Sequence, residues 1–119
     1  MNLRTALVGI AAATVLAAPA WAAAPPVGPL PASPTTQISA QHGELVAVAL
    51  PAQPAGRVWR LKGSIDARVV REVSEANVGK NVVIVFRAVA RGTTTLSYGA
   101  TRGETSKAYA AKRFRIAVR

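Results

Sequence analysis

Histidine occurs once in the 119 residues, as His42, and cysteine does not occur. A catalytic nucleophile needs a tuned base beside it. With no thiol and no legible Asp-His-Ser arrangement, His42, next to Gly43 just ahead of an apolar run, reads as a turn residue. The five acids, Glu44, Asp66, Glu72, Glu75 and Glu104, are scattered. Their spacing does not set two carboxylates across one cleft for glycoside chemistry, and one histidine with unclustered acids is a poor metal-ligand set. Gly99-Ala-Thr-Arg-Gly103 and Asn77-Val-Gly-Lys80 contain glycines, but neither joins a strand to a helix, the setting that gives a phosphate loop its anion site. Asn77-Val78-Gly79 lacks the hydroxyl of a glycosylation acceptor. The expectation is a protein that is not an enzyme, with no metal and no cofactor.

Positive charge is the other chemistry on offer. The chain holds 15 Lys and Arg against five acids, a formal charge of +10. Arg57, Arg60 and Lys62 lie in one strand-like segment, and Lys112, Arg113, Arg115 and Arg119 in another. If those strands share a sheet, their outward faces form an arginine-rich patch able to meet phosphates or carboxylated polymers, or an ordinary solvated face. Nucleic-acid modules add stacking aromatics. Here Trp59, Phe86, Tyr98, Tyr109 and Phe114 are mostly placed for core duty, so no nucleic acid is expected. Lipid head groups, an envelope polymer or an acidic protein are the anionic partners to consider.

The N-terminus sets the compartment. Residues 6–18 are apolar and uncharged, Arg4 precedes them, and Ala20-Trp21-Ala22 has the small-x-small form of a signal-peptidase site, so residues 1–22 read as a signal peptide. The run is too short to cross a hydrocarbon core of ~30 Å, so no transmembrane anchor is expected after cleavage. The protein is expected to be exported, to a periplasm or beyond. Residues 23–34 form a leader with prolines at 25, 26, 29, 31 and 34. It favours extended chain and cannot build a core; it reads as a spacer or a polyproline ligand.

Residues 35–119 carry the folded part. Val46, Val48 and Leu50 alternate before Pro51, and Trp59 and Leu61 share one face with Arg60 and Lys62 on the other. Residues 67–73 read as a strand with Val69 and Val73 inward, and Ser74–Asn81 as a loop or a single helical turn. Val82–Ala90 is the strongest strand, with Ile84, Phe86 and Ala88 on one face. Thr94, Leu96 and Tyr98 alternate inward before a loop from Gly99 to Lys107. Phe114, Ile116 and Val118 close the chain. Six to eight short strands with regular turns and no helical period predict an all-β fold, an antiparallel β-sandwich; a small barrel has the same strand count.

The order of these segments resembles the chagasin-like cysteine peptidase inhibitors. Gly43-Glu-Leu-Val-Ala-Val-Ala-Leu-Pro-Ala-Gln-Pro-Ala-Gly-Arg-Val-Trp59 is similar to the family's Gly-Glu-x-Val-x-Ile-x-Leu strand, Asn-Pro-Thr-Thr-Gly loop and Trp-bearing strand. Phe86-Arg-Ala-Val-Ala-Arg-Gly-Thr-Thr-Thr-Leu-Ser-Tyr98 and Lys112-Arg-Phe-Arg-Ile-Ala-Val118 resemble its later strands. The resemblance covers about residues 36–119. It implies an immunoglobulin-like sandwich whose three loops at one end wedge into the cleft of a papain-like cysteine peptidase. In this chain those loops would be carried by Gln53, Pro54, Ala55 and Gly56, by Gly79, and by Arg102. The loops depart from the family: both threonines of the first are absent, the second is short, and no Pro-Trp follows Arg102. The alternative is a non-inhibitory, envelope-associated module on the same scaffold. It would use Arg60, Lys62, Arg113 and Arg115 against an anionic polymer, lipid or acidic protein.

Overall fold

A computed structural model describes residues 24–119; the signal-peptide expectation for 1–22 lies outside them. Seven strands follow one another: β1 Thr35–Ala40, β2 Leu45–Leu50, β3 Arg57–Lys62, β4 Val70–Val78, β5 Asn81–Ala88, β6 Gly92–Arg102 and β7 Ala108–Val118. They form a four-stranded sheet in the order β1-β7-β6-β3 and a three-stranded sheet in the order β2-β5-β4. This is an all-β, two-sheet sandwich. It is not wholly antiparallel as expected: β1 runs parallel to β7, with Thr35 opposite Arg113 and Ala40 opposite Val118. The other four pairings are antiparallel.

The core follows from the two-residue period, which puts every second side chain on the inner face. Val46, Val48 and Leu50 of β2 and Ile84, Phe86 and Ala88 of β5 come from one sheet. Leu96 and Tyr98 of β6, with Phe114, Ile116 and Val118 of β7, come from the other. Leu50, Phe86, Leu96 and Ile116 are fully shielded. Tyr98 meets Phe114 edge-on, with ring centroids 6.3 Å apart, a favoured aromatic geometry. Trp59 and Leu61 pack against this core while partly exposed.

Three local expectations are corrected. Val73 faces outward and is 48 % exposed, because Val70 and Glu72 take the inward positions opposite Ala88 and Phe86; the bulge between Glu72 and Ser74 shifts the alternation beyond it, so that Glu75 also lies inward, opposite Ile84. Ser74–Val78 is strand, and Gly79-Lys80 alone make the turn to β5. A two-residue hairpin turn needs positive φ, and Gly79 supplies φ 64°. Likewise β6 continues through Gly99, Ala100 and Thr101 to Arg102, leaving only residues 103–107 as loop. Thr35–Ala40 is a strand that the sequence pattern does not single out; its residues are mostly exposed.

The leader is not a free spacer. Val27 is buried to 5 % exposure, and Gly28 N donates to Ser106 O at 2.7 Å. Gly99 explains how the chain gets so close. A Cβ there would lie 2.8 Å from Val27 Cγ1 and 2.9 Å from Leu30 Cδ2, so the missing side chain opens the seat for the leader on the outer face of the four-stranded sheet.

Candidate functional site

Three connections meet at one end of the sandwich: residues 51–56 between β2 and β3, the Gly79-Lys80 turn, and residues 103–107 between β6 and β7. Backbone and side-chain bonds tie them together. Ala52 N donates to Asn81 Oδ1 at 3.1 Å, joining the first loop to the hairpin. Gly103 N donates to Gly56 O at 3.2 Å, joining the third loop to the first. Within the first loop Arg57 N donates to Pro54 O at 3.2 Å, closing a turn through Ala55 and Gly56. The Trp59 indole N–H donates to Pro51 O at 2.8 Å, so the large side chain that anchors β3 also fixes the loop before it. The third loop is braced from within: Thr101 Oγ1 donates to Gly103 O at 2.7 Å, and Thr105 Oγ1 to Arg102 O at 2.8 Å.

The structure thus brings Gln53, Pro54, Ala55, Gly56, Gly79 and Arg102 to the same end. Sequence reasoning missed the residue that organises the cations there. Arg57 and Arg102 face one another across β3 and β6, where like charges would repel. Tyr109 of β7 receives both: its ring centre is 4.3 Å from the Arg57 guanidinium and 5.4 Å from that of Arg102, with Lys107 Nζ at 5.0 Å. The negative face of an aromatic ring attracts each cation. The result is a basic, ring-centred corner beside the third loop. Only the register of three strands reveals it, although Tyr109 lying among cations in sequence was a usable hint.

The expected basic face also exists, but it is not bare. Lys62 is opposite Ser97, and Ser97 opposite Arg113, so β6 separates the two basic strands while their side chains share the outer surface. The leader lies on it. Arg60 donates to Pro25 O and to Thr105 O. Lys62 Nζ donates to Val27 O at 3.1 Å and Gly28 O at 2.8 Å. Arg113 Nη1 donates to Pro31 O at 3.2 Å and also to Ser33. An extended, proline-rich segment makes no internal hydrogen bonds and leaves its carbonyls unpaired, which suits it to a row of cationic donors. Of the four residues expected to form an anion site, Arg115 alone makes no such contact with the leader, and it is exposed.

His42 sits in the β1–β2 turn, its backbone N–H donating to Arg119 O at 3.0 Å. Leu45 pairs with Arg87 and Gly92 with Val118, so this is the end of the sandwich opposite the three loops. Among the described residues, no group of three or more His, Asp or Glu side chains is placed to hold a metal ion.

No protein-family model matches the chain, and no curated protein matches it. Solved structures do. The crystal structure of the cysteine protease inhibitor EhICP2 from Entamoeba histolytica aligns with a TM-score of 0.52 at 14 % identity, covering 71 % of this chain and 95 % of that one. Over a large part of its length, the chain has a fold resembling that of the chagasin-family cysteine protease inhibitors, at low sequence identity.

Proposed function

We propose that this protein is an exported inhibitor of papain-like cysteine peptidases, acting by loop-wedge blockade of the active-site cleft from an immunoglobulin-like sandwich. The observation that carries the reading is the joining of the three loops at one end by the Ala52–Asn81 and Gly103–Gly56 bonds, on a fold that resembles a cysteine protease inhibitor. A wedge ordered before binding loses little conformational entropy on docking. Pro54 and Gly56 set the shape of the first loop, and Gln53 and Ala55 present its tip. Gly79 lets the peptidase approach the hairpin backbone closely. Arg102, with Arg57 and Lys107 around Tyr109, supplies positive charge for an acidic or carbonyl-rich rim. Export, to a periplasm or outside the cell, would follow cleavage after Ala22.

The test is to replace residues 53–56 with an unrelated four-residue turn and titrate both proteins against papain with a fluorogenic substrate. The reading predicts that the swap weakens inhibition at least about 10-fold, the loss of roughly 1.4 kcal/mol of contact energy. Unchanged inhibition would remove these residues from the site. An envelope-associated module using Arg60, Lys62, Arg113 and Arg115 is less well supported, since three of these four already donate to the leader.

A further inference from the structure

The sandwich is open along one side. β3 and β4 are edge strands of their respective sheets, and every residue of β4 after Val70 is exposed. Between them runs a cleft of about 440 Å³. Trp59 and Leu61 form one wall, and Val82, Ile84 and Tyr98 lie deeper. Glu72 and Glu75 stand on the other wall, on the inward face of β4, opposite Phe86 and Ile84 respectively. Arg57 and Lys80 close the end near the loops, with the Arg57 guanidinium turned to Tyr109.

Two features of this cleft call for a ligand. The first is charge. In a chain of formal charge +10, the ion pair among the described residues is Arg68–Asp66, so Glu72 and Glu75 face the cleft with no cation bound to them. Inward charges on an edge strand discourage edge-to-edge pairing, which accounts for acids at these positions. It does not account for the second feature. The Tyr98 hydroxyl, on a residue only 4 % exposed, makes no hydrogen bond among the described residues. A buried, unsatisfied polar group is costly and calls for a partner. Burial, followed by the charges of Glu72 and Glu75, pushes this phenol up to about 12, so it stays protonated and available as a donor.

We propose that the cleft is a binding site for a small molecule or chain end that carries a protonated amine beside a carbonyl on an apolar body. Glu72 and Glu75 take the ammonium, the Tyr98 hydroxyl, shielded in the free protein, donates to the carbonyl once the ligand parts the side chains over it, and Trp59, Leu61 and Ile84 cover the apolar part. The cleft shares Gln53 and Arg57 with the loop end, but the groups that bind the ligand, Glu72, Glu75 and Tyr98, are not among those assigned to the wedge, so the two readings can fail independently.

The probe is leucinamide, which has all three features, added to ¹⁵N-labelled full-length protein at about pH 6.5, below the ordinary α-amino range of about 7.7–8.0. The Trp59 indole resonance is distinguished from that of Trp21 by a Trp21→Phe variant. The proposal predicts saturable shifts at Trp59, Leu61, Glu75 and Tyr98. 4-Methylpentanamide, the same body without the amine, should bind roughly 10-fold more weakly, the expected loss of a charge-assisted hydrogen bond. Glu72→Gln with Glu75→Gln, both at exposed positions, should weaken leucinamide by a similar factor, and Tyr98→Phe by several-fold. A Leu-Gly-Gly peptide separates the two sources: tighter binding than leucinamide assigns the cleft to a chain N-terminus and weaker binding to a free small amide, whereas N-acetyl-leucinamide must lose affinity in either case. No saturable shift by about 50 mM, shifts confined to the outer face or the loops, equal binding of the neutral analogue, or an unchanged affinity in the double glutamine variant would each overturn it.

Discussion

Gly99→Ala should unseat the leader. A Cβ at this position would sit 2.8 Å from Val27 Cγ1, 2.9 Å from Leu30 Cδ2 and 3.2 Å from Ala108 Cβ. The two closest contacts belong to the leader and the third to the neighbouring strand. On the sheet alone, Ala in place of a strand glycine is favourable by roughly 0.5–1 kcal/mol. On the docked protein, the same methyl group overpacks a filled seat, which costs about 1–3 kcal/mol. Val27→Ala with Leu30→Ala removes the leader's side of the clash. Deleting the buried Val27 methyls alone costs on the order of 1 kcal/mol. In the background of those two changes, Gly99→Ala should therefore recover to neutral or stabilising. Urea unfolding of the four proteins of this cycle, followed by circular dichroism, should give a coupling of about 1–3 kcal/mol. Additivity to within about 0.5 kcal/mol would mean that the leader does not lie against Gly99, and the account of the outer face would fail with it.

Other outcomes follow from single side chains. Tyr98→Phe removes an unpartnered buried hydroxyl, so it should stabilise the free protein by about 1 kcal/mol and raise its melting temperature by roughly 4–8 °C; no change would mean that the hydroxyl is satisfied. The phenol of Tyr98 is pushed up to about 12 from an unfolded value of about 10. The folded state thus keeps a proton that the unfolded state gives up. Its contribution to stability should be intact below pH 10 and lost as pH rises toward 12, and Tyr98→Phe should flatten that fall in alkaline unfolding curves. Trp59→Phe deletes the bond to Pro51 O and should cost about 1 kcal/mol in urea unfolding, while weakening peptidase inhibition more than an outer-face change such as Arg115→Ala. Gly79→Ala places a Cβ at φ 64° and should cost roughly 1–2 kcal/mol; a neutral result would show that the hairpin turn differs from the one described.

The parts of this structure that could be read from the sequence are those set by local periodicity. Ile84, Phe86 and Ala88 alternate with less shielded valines, and Phe114, Ile116 and Val118 with more exposed residues, so their inward faces are legible. Pro51, Pro54 and Gly56 likewise mark the first loop. What was not legible depends on partners distant in sequence. Gly99-Ala100-Thr101 looks like loop because the residues are small, yet all three are buried, with the leader covering Gly99 from outside. The leader itself looks unable to pack, but its carbonyls are held by Arg60, Lys62 and Arg113, which are 34 or more residues away. Glu72 and Glu75, three apart, fall on opposite faces of a regular strand. The bulge at Val73 puts both on the inner face, and nothing in the local pattern announces it. The loop-end corner around Tyr109 likewise requires the β3–β6–β7 register.

The most direct test of the proposed function is titration of residues 23–119 against papain and a cathepsin-L-type enzyme, each with its active-site cysteine free and with the cleft filled by a covalent peptidyl blocker. The account predicts reversible inhibition at micromolar concentration or tighter, without cleavage of the chain, and loss of binding to the blocked enzymes. Absence of inhibition up to about 100 μM by a folded protein, or equal binding to open and blocked enzyme, would contradict it.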